Sequence, residues 1–358
     1  MRRFYILILS FFLMLPIFAD ETKVLPSETG VVTSVEYIDT DNVYAQTKQR
    51  AQVRLLTGEF KGETVELDNV LTGNPYYDIK LKKGVKVLLH TEENGKEITY
   101  SIEDIKRAGT LIWLSLLFCG LLIYVGKKKG LYSLVSIVLT VLLITHCLSP
   151  LIIFGVSPIL ASIIICVLST AVTMYLVGGF NAKSTSAAIG ATASLLFASV
   201  LSGITMYTAH LTGFNGENSM FLYSAHPELN FVSLTVSTMV LATLGAVMDV
   251  AMSISSTINE IHETDNTKSI NELFVSGMNV GRDIIGTMAN TLILVYLGAS
   301  LPLVILAENI DLQKFINLNQ VVTEIASALI GSIAIVICVP FTALIAAILI
   351  HRYKKYSN

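Results

Sequence analysis

Two patterns of apolar and polar positions divide the chain, and each predicts its own kind of element. From Thr22 to about Arg107, short runs alternate apolar and polar residues: Val31 to Tyr37, Ala51 to Leu56, Thr64 to Leu67, Val85 to His90 and Glu97 to Ile102. A period of two places one face of each run on a core and the other in water, which predicts strands. Turn-rich pieces at Gly58–Gly62, Asn69–Tyr77 and Glu92–Gly95 separate them, the spacing of a small all-β barrel of OB or SH3-like type. After Arg107 the alternation stops. Seven long apolar segments follow, at about 109–126, 131–148, 156–177, 184–204, 231–258, 283–307 and 322–350. Each approaches the roughly 20 residues that a helix needs to cross a hydrocarbon core. Such unbroken runs are not barrel strands, so they predict transmembrane helices.

The first residues form a third piece, 1–19. Arg2 and Arg3 precede an apolar run from Phe4 to Phe18, and acidic Asp20 and Glu21 follow Ala19. This predicts a signal peptide, or else a short anchor helix, and in either case an exported domain at 20–107 ahead of a seven-helix domain at 108–358.

Composition agrees with this partition. Of 358 residues 53% are hydrophobic and 14% charged, and the mean hydropathy is +0.66. Charge is uneven: 28 of the 51 charged residues fall between Asp20 and Arg107. With the β-domain outside, the inner connections hold Lys127, Lys128, Lys129, Lys183, Lys268, Arg282, Arg352, Lys354 and Lys355, whereas the outer loops hold only Lys314. The positive-inside bias therefore predicts a multi-pass membrane protein with an extracytoplasmic β-domain and a cytoplasmic carboxyl terminus. A net charge of −3 without a basic stripe argues against nucleic acid as a partner. Cys119, Cys147, Cys166 and Cys338 lie in apolar stretches without ligand spacing and read as small hydrophobes.

The candidate chemistry lies in two helices. In LGAVMDVAMSISSTINEI, Asp249 sits nine residues before Ile258, roughly 13 Å from the inner end of its span. A carboxyl group there requires a partner, a wet cavity or a proton, since an aspartate at mid-helix costs about 2.5–3.5 kcal/mol on insertion scales. Ala242, Gly245 or Ala246, Asp249, Ser253, Ser256 and Glu260 share its face. The following span, SGMNVGRDIIGTMANTLILVYLG, carries a second stripe of Asn279, Asp283, Gly286 or Thr287, and Asn290. Arg282 at its start either snorkels to the inner surface or turns to pair with Asp249 or Asp283. Between the two spans, Ile270, Leu273, Phe274 and Met278 have the spacing of a short amphipathic helix on the inner surface.

Other segments predict packing. Gly190, Ser194, Ala198 and Ser202 form a ridge of small residues that permits close helix approach. Pro302 and Pro340 are expected to kink their helices, and Glu324 marks the outer end of the last span. His210, Glu217, His226 and Glu228 share one outer loop without a recognisable metal-ligand spacing, and there is neither a Walker loop nor a G-x-S-x-G elbow. The chain is therefore read as neither enzyme nor cofactor protein.

The strings GAVMDVAMSISSTINEI and SGMNVGRDIIGTMANTLILVYLG, behind an exported β-domain, resemble the YibE/F-like multi-pass proteins of bacteria. This resemblance implies architecture more than activity. A fainter one joins helices five to seven to the membrane domain of resistance-nodulation-division transporters and to the Sec export accessory pair. It implies a proton-carrying role for Asp249, with Arg282 and Thr287 beside it, and pairing with itself or a homologue in place of a second helix set. The expectation is an ion- or proton-coupled transporter or export-assisting subunit for an unknown small solute or ion, with Asp249, Ser253, Ser256, Glu260, Arg282, Asp283, Thr287 and Asn290 along its route and membrane lipid around it. The alternative is a receptor or assembly scaffold whose β-domain binds an exterior ligand.

Overall fold

The computed structural model describes residues 27–38, 47–94 and 97–355, and the chain divides into two compact units near residue 121. The expected signal peptide lies outside the described residues.

The first unit holds five strands: β1 (Glu28–Ile38), β2 (Thr47–Leu55), β3 (Thr64–Leu71), β4 (Lys86–Asn94) and β5 (Glu97–Ile105). All neighbours are antiparallel in the order β3-β2-β1-β4-β5, and the two edge strands approach each other, so the sheet nearly closes into a barrel. Val32, Ala51, Val53, Leu55, Leu67, Leu81, Val87 and Leu89 fill its interior. Every second residue of β2 points inward, as alternation predicts, and one of them is polar. Gln49 is fully buried but satisfied: its amide donates to Leu81 O at 3.2 Å, and its carbonyl accepts from Leu81 N at 2.9 Å and Asn69 Nδ2 at 3.1 Å.

The helical unit opens within α1 (Ala108–Leu143), whose course is broken at Lys127 with φ 49° and ψ −129°. Just beyond the break, a Cβ on Gly130 would collide with the carbonyl oxygen of Leu122. Eight residues span about 12 Å in a straight helix, so this contact requires the chain to fold back on itself. A π-helical turn (Ile144–Leu148) and α2 (Ser149–Ile153) continue it. Then come α3 (Pro158–Gly178), α4 (Ala182–Thr208), α5 (Glu217–Ala225), α6 (Phe231–Thr264), α7 (Ile270–Ala299), α8 (Leu301–Leu306), α9 (Leu312–Phe315) and α10 (Asn319–Lys355). Among the described residues, six helical stretches are long and apolar enough to cross a membrane: Ala108–Ile153, α3, α4, α6, α7 and Asn319–Arg352.

The core of this unit is a seam of small side chains. Gly190 lies against Thr342, and Ser194, Ala198 and Ser202 are completely buried behind it, so the ridge read in the sequence is the face that α4 packs on α10. Ser255 of α6 donates to Lys183 O at 2.7 Å and is hydrogen-bonded to Ser186 of α4.

Two expectations change. Ile270–Ala299 is one uninterrupted helix, and Leu273 is fully buried with Phe274 and Met278 packed beside it. The amphipathic pattern at 270–278 therefore seats that turn on the bundle, not on a membrane surface. Pro302 does not kink a helix, because α7 ends at Ala299 and the proline opens α8, where its missing N–H costs nothing. Pro340 lies inside the continuous α10.

Candidate functional site

Asn230 caps α6 by accepting from Ser233 N at 2.9 Å, after which the 34-residue helix separates its faces cleanly. Val240, Val247, Val250, Ala251, Ile254 and Ile258 are buried in the bundle. On the opposite side Ala242, Gly245, Asp249, Ser253 and Glu260 are exposed, with Ala246 and Ser256 half-buried at its margins. Asp249 stands near the middle, roughly 27 Å from Phe231 and 22 Å from Thr264. No hydrogen bond or ion pair holds its carboxylate among the described residues.

A capping box starts α7: Ser269 N donates to Glu272 Oε2 at 2.8 Å, and Glu272 N donates to Ser269 Oγ at 3.3 Å. Its buried face is narrow. Gly277 meets Ile258 and Ala343, Gly281 meets Val339, and Leu292 reaches Gly331. Glycines thus set which side of α7 lies on α6 and α10, and the polar stripe falls on the reverse. Asn279, Arg282, Asp283, Gly286, Thr287 and Asn290 are all exposed.

Within this stripe Arg282 Nη1 donates to Asn279 Oδ1 at 3.0 Å, and Thr287 Oγ1 donates to Ile284 O at 3.0 Å in its own helix. Among the described residues Arg282 forms no ion pair with Asp249 or Asp283, and no hydrogen bond joins the stripes of α6 and α7. The eight residues singled out in the sequence therefore form two outward polar faces at the bundle surface, not one enclosed channel.

Sequence reasoning missed a pocket of about 290 Å³ where α7, α8, α9 and α10 meet. Leu297, Leu303, Phe315 and Ile325 are among its walls, and although Tyr296 and Glu324 border it, its lining is almost wholly apolar. In the sequence Glu324 marks only a helix end, because Tyr296 and the short helices are brought to it by tertiary folding. Between α5 and α6, His226 Nδ1 lies 3.2 Å from Glu228 Oε1. No group of three or more His, Cys, Asp or Glu among the described residues is disposed to hold a metal ion.

A five-stranded, nearly closed barrel joined to a body of long apolar helices defines a multi-pass membrane protein with one small β-domain. The chain belongs to the YibE/F-like family: the model of the YibE/F-like protein matches residues 114–352, and that of the YibE/F family N-terminal domain matches residues 24–105. Comparisons with curated proteins and with solved structures gave no match.

Proposed function

We propose that this protein is an ion- or proton-coupled transporter, or an export-assisting subunit, of a bacterial cytoplasmic membrane, and that Asp249 is its coupling group. The observation that carries this reading is that the Asp249 carboxyl stands near the middle of α6, on its small and polar face, with no basic partner among the described residues. A structural carboxylate at that depth normally has its charge matched by a cation or sealed in hydrogen bonds, whereas one kept unpaired on a small, polar helix face is able to gain and lose a proton or cation. Ser253, Ser256 and Glu260 continue its face toward the end of α6 and give a mobile ion a graded sequence of oxygen ligands.

Seven crossings suit the fold better than six. A straight helix of 46 residues would be about 69 Å long against a hydrocarbon core of about 30 Å, and the fold-back between Leu122 and Gly130 supports two crossings in its place. Lys127, Lys128 and Lys129 then lie at a cytoplasmic turn, which agrees with the positive-inside bias.

The test uses the full chain in proteoliposomes that hold an imposed pH gradient, with an internal pH-sensitive dye reporting its dissipation as sodium, potassium or a divalent cation is added outside. The wild-type chain is expected to exchange at least one of these for protons, and Asp249→Asn to lose that response while inserting normally. An equal response in the variant would remove Asp249 from the mechanism.

A further inference from the structure

We propose that the exposed polar face of α7 is the contact surface of a two-fold dimer, covered by the same face of a second copy of this chain. The inference does not depend on transport. It starts from a mismatch between a helix and its solvent.

The most apolar window of α7 is only 6% buried, against 28–50% in the other five candidate spans, so most of its surface faces lipid or another protein. Lipid suits Ile293, Leu294, Val295 and Leu297, but not the stripe that runs through Asp283 and Asn290. Thr287 and Thr291 satisfy themselves by bonding to carbonyls of their own helix. Asn290 makes no hydrogen bond among the described residues, and hydrocarbon offers its amide no partner. A protein surface at the same depth does.

Charge identifies that surface as a second copy. Arg282 and Asp283 are consecutive, so their side chains diverge by about 100° around the helix and cannot pair with each other. Two copies inserted in the same direction are related by an axis along the membrane normal, which brings equal depths together. Arg282 of one copy then meets Asp283 of the other, twice, while Asn290 meets Asn290. Gly286 has nothing within 4 Å, which leaves room for two helix backbones to approach. The polar face of α6 lacks this self-complementarity, because its only charges at depth are acidic and a second copy would set Asp249 against Asp249.

The experiment is disulfide trapping in membranes, with the full chain carrying alanine at its four native cysteines. Asn290→Cys is expected to give a cross-linked band of twice the chain mass on mild oxidation, whereas Val200→Cys, 64% exposed on α4, is expected to stay monomeric. In native nanodiscs, the charge reversals Arg282→Asp and Asp283→Arg are each expected to lower the dimer fraction about fivefold or more, and their combination to restore it. Restoration separates an intermolecular pair from a local structural effect, since the two side chains cannot compensate within one helix. A monomer throughout, equal trapping at Val200→Cys, a double variant no better than the singles, or Asn290→Cys captured by a different protein would overturn the proposal.

Discussion

A carboxylate in this chain answers to its neighbours, and Asp68 and Asp249 show the two extremes. Lys48 Nζ lies 2.7 Å from Asp68 and, with Arg50 beyond it, holds that carboxyl below the ordinary aspartate value despite the opposing effect of partial burial. A depressed carboxyl contributes stability above the unfolded value of about 3.9 and loses it as pH falls through the lower folded value. Carbon-13 NMR titration of the side-chain carboxyls in the full chain should therefore find the Asp68 midpoint below the ordinary aspartate value, and Lys48→Met should move it upward. At this scale the sequence was legible in part. Asp249 stood out because an acid interrupts an apolar run, whereas Gln49 did not, since its bonds to Leu81 and Asn69 come from residues 32 and 20 positions away.

Among elements, the strands and most long helices follow from period and length, because burial of one face or of a whole run fixes both. What the sequence left open was which face of a helix packs. In α7 both sides carried plausible signals, and the polar residues suggested an inward lining, but Gly277 and Gly281 let Val339 and Ile258 approach so closely that the packed face lies there. The apolar run starts at Asp283, yet the helix passes through that residue from Ile270 without a break. Two predictions belong here. Gly281→Leu should separate α7 from α10 and cost about 1–3 kcal/mol, seen as a lower unfolding temperature in detergent. Gly130→Ala should be worse tolerated than Gly120→Ala in the same assay, because a methyl group at Gly130 strikes the Leu122 carbonyl whereas Gly120 has open space around it.

For the whole molecule, the number of crossings decides which compartments the two ends share. An odd number places the β-domain and the carboxyl terminus on opposite sides, and an even number places them together. Labelling of Lys82→Cys and Lys314→Cys in intact cells by a membrane-impermeant maleimide, in the background without native cysteines, should be positive for both. A carboxyl-terminal tag should become reachable only after lysis. Helix length has a separate consequence. At 1.5 Å per residue, α6, α7 and α10 measure about 51, 45 and 55 Å, well beyond the hydrocarbon thickness. The end of α6, the start of α7 and the later part of α10 stay packed together through Ile258, Gly277 and Ala343. Their backbone amides around Ile258 and Leu273 should therefore exchange hydrogen with deuterium slowly even where the helices have left the bilayer and stand in water.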